Sequence, residues 1–137
     1  MNFLRTTGII LFCLIPFLSH AQTTQLIGAS EEFILENVKG YASVEERGIE
    51  HEEFNVLVFE DGGRVLSFYF TFYRGGKICS YIKNTAPLHA LEEEIRFIKA
   101  NFTNTRDNIW VNAGKMVQVQ INTTESHGSI VAKELRN

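Results

Sequence analysis

The chain is 137 residues long, with 13 Lys and Arg against 16 Asp and Glu, and 45% of it is hydrophobic. That is the length of a single domain. Its mildly acidic, scattered charge offers no footprint for a phosphate backbone, so nucleic acid is not an expected partner. No apolar run reaches the roughly 20 residues a membrane-spanning helix needs.

The first segment reads as an export signal. Met1 to Arg5 carries one positive charge, and an unbroken apolar run extends from Gly8 to Leu18. Ser19-His20-Ala21 then puts small residues where a signal peptidase reads, so the expected cut lies between Ala21 and Gln22. Pro16 and the lack of an apolar face argue against a buried N-terminal helix. Phe12 before Cys13 does not suit lipoprotein processing. The expected location is periplasmic or secreted, and the remaining domain, 22–137, has 12 cationic and 16 anionic residues, a net charge of about −4. Cys79 is then the lone cysteine, so no internal disulfide is available and the core must supply the stability. The expectation for it is a buried, reduced side chain acting as a small hydrophobe.

Ser30 followed by Glu31 and Glu32 predicts a helix start over Ser30 to Lys39, because a serine oxygen accepts orphan amide protons and carboxylates suit the positive end of the dipole. Phe33, Ile34, Leu35 and Val38 supply its apolar face, and Gly40 suits its end. Residues 41–53 are acidic and irregular, with room for a short strand over Ala42 to Glu45.

Phe54 to Glu60, Arg64 to Tyr73 and Lys77 to Lys83 read as three strands joined at Asp61-Gly62-Gly63 and Arg74-Gly75-Gly76. A two-residue turn at Gly62-Gly63 sets Asp61 opposite Arg64, Phe59 opposite Leu66 and Leu57 opposite Phe68. A three-residue turn at Arg74 to Gly76 sets Phe72 opposite Ile78, Phe68 opposite Ile82 and Tyr69 opposite Tyr81. One face then carries Leu57, Phe59, Leu66, Phe68, Phe70, Phe72, Ile78 and Ile82, which is the expected core. The second face carries Val56, Val58, Ser67, Tyr69, Thr71, Tyr73, Cys79 and Tyr81.

Thr85 is the expected start of a second helix, with Pro87 in its first turn. Leu88, Leu91, Ile95, Ile98 and Phe102 form its apolar stripe, and Glu92, Glu93, Arg96 and Lys99 its polar side. Strands are then expected over Asn108 to Val111, Met116 to Ile121 and Ile130 to Leu135. With no alternation of single strands and crossover helices, the fold class is α+β: an antiparallel sheet in the order α-β-β-β-α-β-β-β, its second helix packed on the phenylalanine-rich face.

Motifs of known chemistry are weak. His51-Glu52-Glu53 begins like a zinc-protease helix motif, but Asn55 stands where the second histidine belongs. Nothing in the sequence brings His51, His89 and His127 together, and no metal or cofactor is implied. Glu45, Glu46, Glu50, Glu52 and Glu53 lack the spaced ligands and turn glycine of a calcium loop. There is no nucleophile elbow, and neither glycine pair is followed by the lysine and serine of a phosphate loop. Asn101 and Asn122 fit the glycosylation sequon, which matters only in a host that glycosylates.

The second sheet face is more aromatic than a solvated face needs to be, and tyrosine offers a stiff apolar body with a polar tip. Val56, Val58, Tyr69, Thr71, Tyr73 and Tyr81 are therefore the candidate residues for binding a ligand or partner. Good strand propensity, or coverage by the tail strands, is the competing explanation.

Taken in order, Ala21-Gln22, the helix from Ser30 to Lys39, the meander from Phe54 to Lys83, the helix from Leu88 to Ile95 and Trp110 near the end give a pattern that resembles small exported bacterial α+β proteins with no assigned chemistry. The resemblance implies the periplasm or secretion and no particular reaction. A similar order of elements occurs in small secretion chaperones and inhibitor-like domains, an analogy that does not carry function. The expected function is noncatalytic binding of a protein or small molecule, with a homodimer through the sheet face or an edge strand as one arrangement. An enzyme using dispersed residues such as His51, His89 and the glutamates, or a structural envelope protein, are the alternatives.

Overall fold

The computed structural model describes residues 23–38, 43–51, 54–73 and 76–135, with side chains at 24–38, 56–72 and 76–135. The proposed leader and Gly40 lie outside the described residues. After a short 3-10 turn, Thr23–Leu26, come α1 (Glu31–Asn37), β1 (Ser43–His51), β2 (Phe54–Asp61), β3 (Arg64–Tyr73) and β4 (Gly76–Pro87). These are followed by α2 (Leu88–Asn101), β5 (Thr103–Arg106), β6 (Ile109–Asn112), β7 (Val117–Thr123) and β8 (His127–Glu134).

All eight strands form one antiparallel sheet in the order β1-β2-β3-β4-β8-β7-β6-β5. The chain thus reads as two α-β-β-β-β halves whose last strands, β4 and β8, pair at the centre. The expected α+β class and antiparallel sheet hold, but the order α-β-β-β-α-β-β-β does not. A full strand, Ser43–His51, occupies the acidic stretch, and Thr103–Arg106 adds a strand beyond α2. Neither has the apolar alternation that marks a half-buried strand, because both lie on the edges of the sheet, where charged and polar side chains discourage pairing with another chain.

Ser30 caps α1, its Oγ accepting from the Phe33 amide at 3.2 Å. Seven residues cannot hold a helix unaided. Ile34 and Val38 anchor it in the core, whereas Phe33 and Leu35 point outward, so the apolar face is narrower than the composition indicated.

Gly62 and Gly63 both adopt positive φ, 55° and 83°, the geometry a two-residue hairpin turn demands. Asp61 consequently pairs with Arg64, Phe59 with Leu66 and Leu57 with Phe68, as the parity argument requires. The second hairpin departs from expectation. Phe68 pairs with Ile82 and Tyr69 with Tyr81, but a bulge then sets Phe70 opposite Cys79, Thr71 opposite Ile78 and Phe72 opposite Lys77. The extra residue is Ser80, and beyond it the side chains of β4 exchange faces. Cys79 therefore belongs to the core, while Ile78 falls on the opposite face and Phe72, near the end of β3, is 66% exposed.

The second helix begins later than expected. Thr85, Ala86 and Pro87 continue β4 by pairing with Ser129, Gly128 and His127 of β8, and Pro87 occupies the cap position of α2. No side chain caps α2; instead the Leu88 amide donates to the Ser126 carbonyl at 2.9 Å. Leu91, Ile98 and Phe102 lie in one hydrophobic cluster with Leu57, Phe59, Leu66, Phe68 and Phe70, so α2 does pack on the phenylalanine-rich face. Phe59 and Phe68 meet edge to face at 5.6 Å. Each such fully buried side chain contributes roughly 1.5–3 kcal/mol, which makes this layer the main source of stability.

Candidate functional site

Both described helices, α1 and α2, anchor in the cluster on one side of the sheet, so among the described residues the other side carries no helix. Pairing places the candidate residues there in cross-strand rows. Val56 is opposite Tyr69, Tyr69 opposite Tyr81, Tyr81 opposite Lys133 and Lys133 opposite Gln118. One row on, Val58 is opposite Ser67, Ser67 opposite Lys83, Lys83 opposite Val131 and Val131 opposite Gln120. Thr71 follows Tyr69 on the same side of β3. Tyr73 pairs with Gly76, and its side chain lies outside the described residues.

The members of this face differ in accessibility. Val56, Val58 and Thr71 are 1%, 3% and 6% exposed, so they offer little contact surface of their own. Tyr69 and Tyr81 are half-buried, and Lys83 and Lys133 are exposed. The two tyrosine rings meet edge to face, with centroids 5.1 Å apart and planes at 87°. This arrangement suits the ring quadrupoles and fixes both side chains. The accessible part of the surface is thus a tyrosine pair flanked by two lysines that strand alternation alone did not single out. Their signal was present in sequence, since Lys83 lies two residues from Tyr81 and so shares its face.

A second polar cluster lies under α2. Asn84 Nδ2 donates to Glu94 Oε2 at 3.0 Å, Arg64 Nε donates to Asn84 Oδ1 at 3.2 Å, and Arg64 Nη2 is 3.9 Å from Glu94 Oε2. Glu94 is buried although it is charged, a placement tolerated only where donors replace water. It sits three residues after Leu91 and four before Ile98, on the stripe that faces the sheet. The cluster ties α2 to β3 and β4. With the Glu94 side chain 1% exposed, substrate has no access to that carboxylate.

The histidines do not converge. His51 ends β1, paired with Phe54 at the hairpin end of the sheet; His127 opens β8, paired with Pro87 at the opposite end. The two strands are also four positions apart, roughly 19 Å. His89 and His127 are both exposed, and His127 Nδ1 lies 2.9 Å from Ser126 Oγ. Among the described residues no three His, Cys, Asp or Glu side chains gather as metal ligands, and no helix is long and apolar enough to cross a membrane. Cys79 is a free, buried thiol whose pKa burial pushes up to about 12, with the charge of Glu134 adding to the effect. It is held in the unreactive protonated form.

No family model, no curated protein and no solved structure matches the chain.

Proposed function

We propose that the protein is an exported, noncatalytic binding domain that recognises its partner through the helix-free face of the sheet. The observation carrying this reading is the Tyr69–Tyr81 pair, two stiff amphipathic rings held against each other at 5.1 Å on a face without a helix. The chemistry available elsewhere supports it: the buried carboxylate is spent on Asn84 and Arg64, the buried thiol stays protonated, and His51 and His127 lie at opposite ends of the sheet.

The contact surface centres on Tyr69 and Tyr81, with Val56, Val58 and Thr71 buried beside them and Tyr73 at the hairpin end. A homodimer is the simplest protein partner. It would use the face rather than an edge, because β5 is only four residues long and β1 is interrupted by two register shifts. The leader-like first segment and the resemblance to small exported bacterial proteins support a role in the periplasm or the medium.

The test compares wild type with the Tyr69→Ser/Tyr81→Ser variant. Both are immobilised and exposed to the extracytoplasmic fraction of the host and to a panel of oligosaccharides, with circular dichroism and sedimentation as controls. Loss of a retained component in a variant that is still folded supports the reading; identical retention and identical oligomeric state contradict it.

A further inference from the structure

Among the described residues, Glu60 of β2, opposite Val65, lies at the margin of the helix-free face, but β3, β4, β8 and β7 bear no carboxylate on it. In a domain with net negative charge, this is where the acidic residues are missing. Glu134, the one carboxylate on those four strands, pairs with Val117 on the core side. The same area holds Lys83 and Lys133, both exposed. Lys83 pairs with Val131, two residues before Lys133, so the lysines are diagonal neighbours about 7–8 Å apart. Neither makes an ion pair among the described residues. The stems of two cations thus start close together with no carboxylate between them, and an anion can be met by both.

The surroundings narrow the class of anion. Gln118 and Gln120 on β7 and Ser67 on β3 occupy the rows of the two lysines, giving hydroxyl-compatible donors and acceptors on both sides. Tyr69 and Tyr81 supply ring edges and faces beside them. Among the described residues of this face Val65 is the most exposed large apolar side chain, at 36%, so the accessible surface is more polar than a dry interface or a membrane-inserting one. Two lysines are too few to track a nucleic-acid backbone. Aromatic rings, amide side chains and two neighbouring cations together fit an extended sugar chain bearing carboxylates.

Resting on the recognition role of this face, we propose that its ligand is an acidic, uronate-containing polysaccharide. Lys83 and Lys133 meet the carboxylates, Gln118 and Gln120 the hydroxyls, and Tyr81 packs against a pyranose ring.

Affinity electrophoresis of the purified protein tests this, in gels containing polygalacturonate, dextran or polyphosphate. Retardation is expected in polygalacturonate alone, weakening as salt is raised. The Lys83→Gln/Lys133→Gln variant should lose about tenfold in apparent affinity, two exposed charge contacts being worth that much. Lys115→Gln, a substitution in the β6–β7 turn, should bind as wild type does. Thermal melts of the same samples show that the variants remain folded, as expected for exposed lysines. Four results would overturn the proposal: no retardation, equal retardation of the lysine variant, equal retardation by dextran or polyphosphate, or a dimer in sedimentation that the lysine variant dissociates. If acidic glycan fails while tyrosine-dependent retention from the extracytoplasmic fraction persists, the glycan assignment falls and the recognition face stands. If both fail, both fall.

Discussion

Tyr69 of β3 and Tyr81 of β4 face each other directly across the hairpin, rings 5.1 Å apart and nearly perpendicular, on the side of the sheet that neither helix covers. An edge-to-face pair of this kind is worth about 0.5–1.5 kcal/mol beyond its buried area. A double-mutant cycle with Tyr69→Ser and Tyr81→Ser, followed by urea unfolding, should give a coupling energy in that range. Both single variants should fold, because the phenylalanine layer lies on the other face.

The polar cluster beneath α2 makes an asymmetric prediction. Replacing Asn84 by Leu removes the 3.0 Å donor to Glu94 and leaves the buried carboxylate short of a partner, which should cost about 3 kcal/mol. Adding Glu94→Leu removes the charge that needed the donor. The double variant should therefore be more stable than Asn84→Leu alone, by a coupling of about 0.5–3 kcal/mol in denaturant titrations.

Cys79 sets a pH dependence whose sign follows from its raised pKa. An unfolded thiol ionises near 9.0, whereas the native one holds its proton to about 12. Between those values the unfolded chain releases a proton that the native state keeps. This contribution to stability is complete below pH 9 and falls by about 1.4 kcal/mol per pH unit above it. Unfolding midpoints of wild type and Cys79→Ala, followed from pH 8 to 11, should show the wild type losing stability more steeply. At pH 8 the native thiol should not react with a thiol reagent until the protein is unfolded.

Gly128 of β8 lies directly against Leu91 of α2. A Cβ at this buried position would lie 3.0 Å from Leu91 Cδ1 and 3.4 Å from the Asn122 carbonyl. Leu91 is fully enclosed and has nowhere to move. Gly128→Ala should cost about 1–3 kcal/mol, whereas Ser129→Ala beside it should change the melting temperature little.

What the sequence disclosed depended on how local the determining chemistry was. The Gly62-Gly63 turn fixed a whole hairpin because two positive-φ residues admit one register, and Ser30 marked the start of α1 because its side chain caps a nearby amide. The bulge at Ser80 was invisible to a parity argument that assumes one constant register; it moved Cys79 into the core and Ile78 and Phe72 out of it. Most of β1, beyond the short strand allowed at Ala42 to Glu45, and all of β5 were hidden because their polar residues look like connections. Of the recognition face, Tyr69 opposite Tyr81 was legible, as was Val56 on the same face. Lys83 shares the parity of Tyr81, but its neighbour Lys133 required the β4–β8 pairing, a contact between residues far apart in the chain. Glu94 lay on the apolar stripe of α2, but a carboxylate in that position becomes interpretable only once Asn84 and Arg64 are seen beside it.

The recognition face itself is tested most directly by backbone amide chemical-shift mapping during titration with polygalacturonate oligomers. The largest shifts are expected at Tyr69, Tyr81, Lys83, Val131 and Lys133, with the residues of α1 and α2 unchanged. Shifts concentrated on the helical layer, or spread evenly with no focus on β3, β4 and β8, would contradict binding through the sheet.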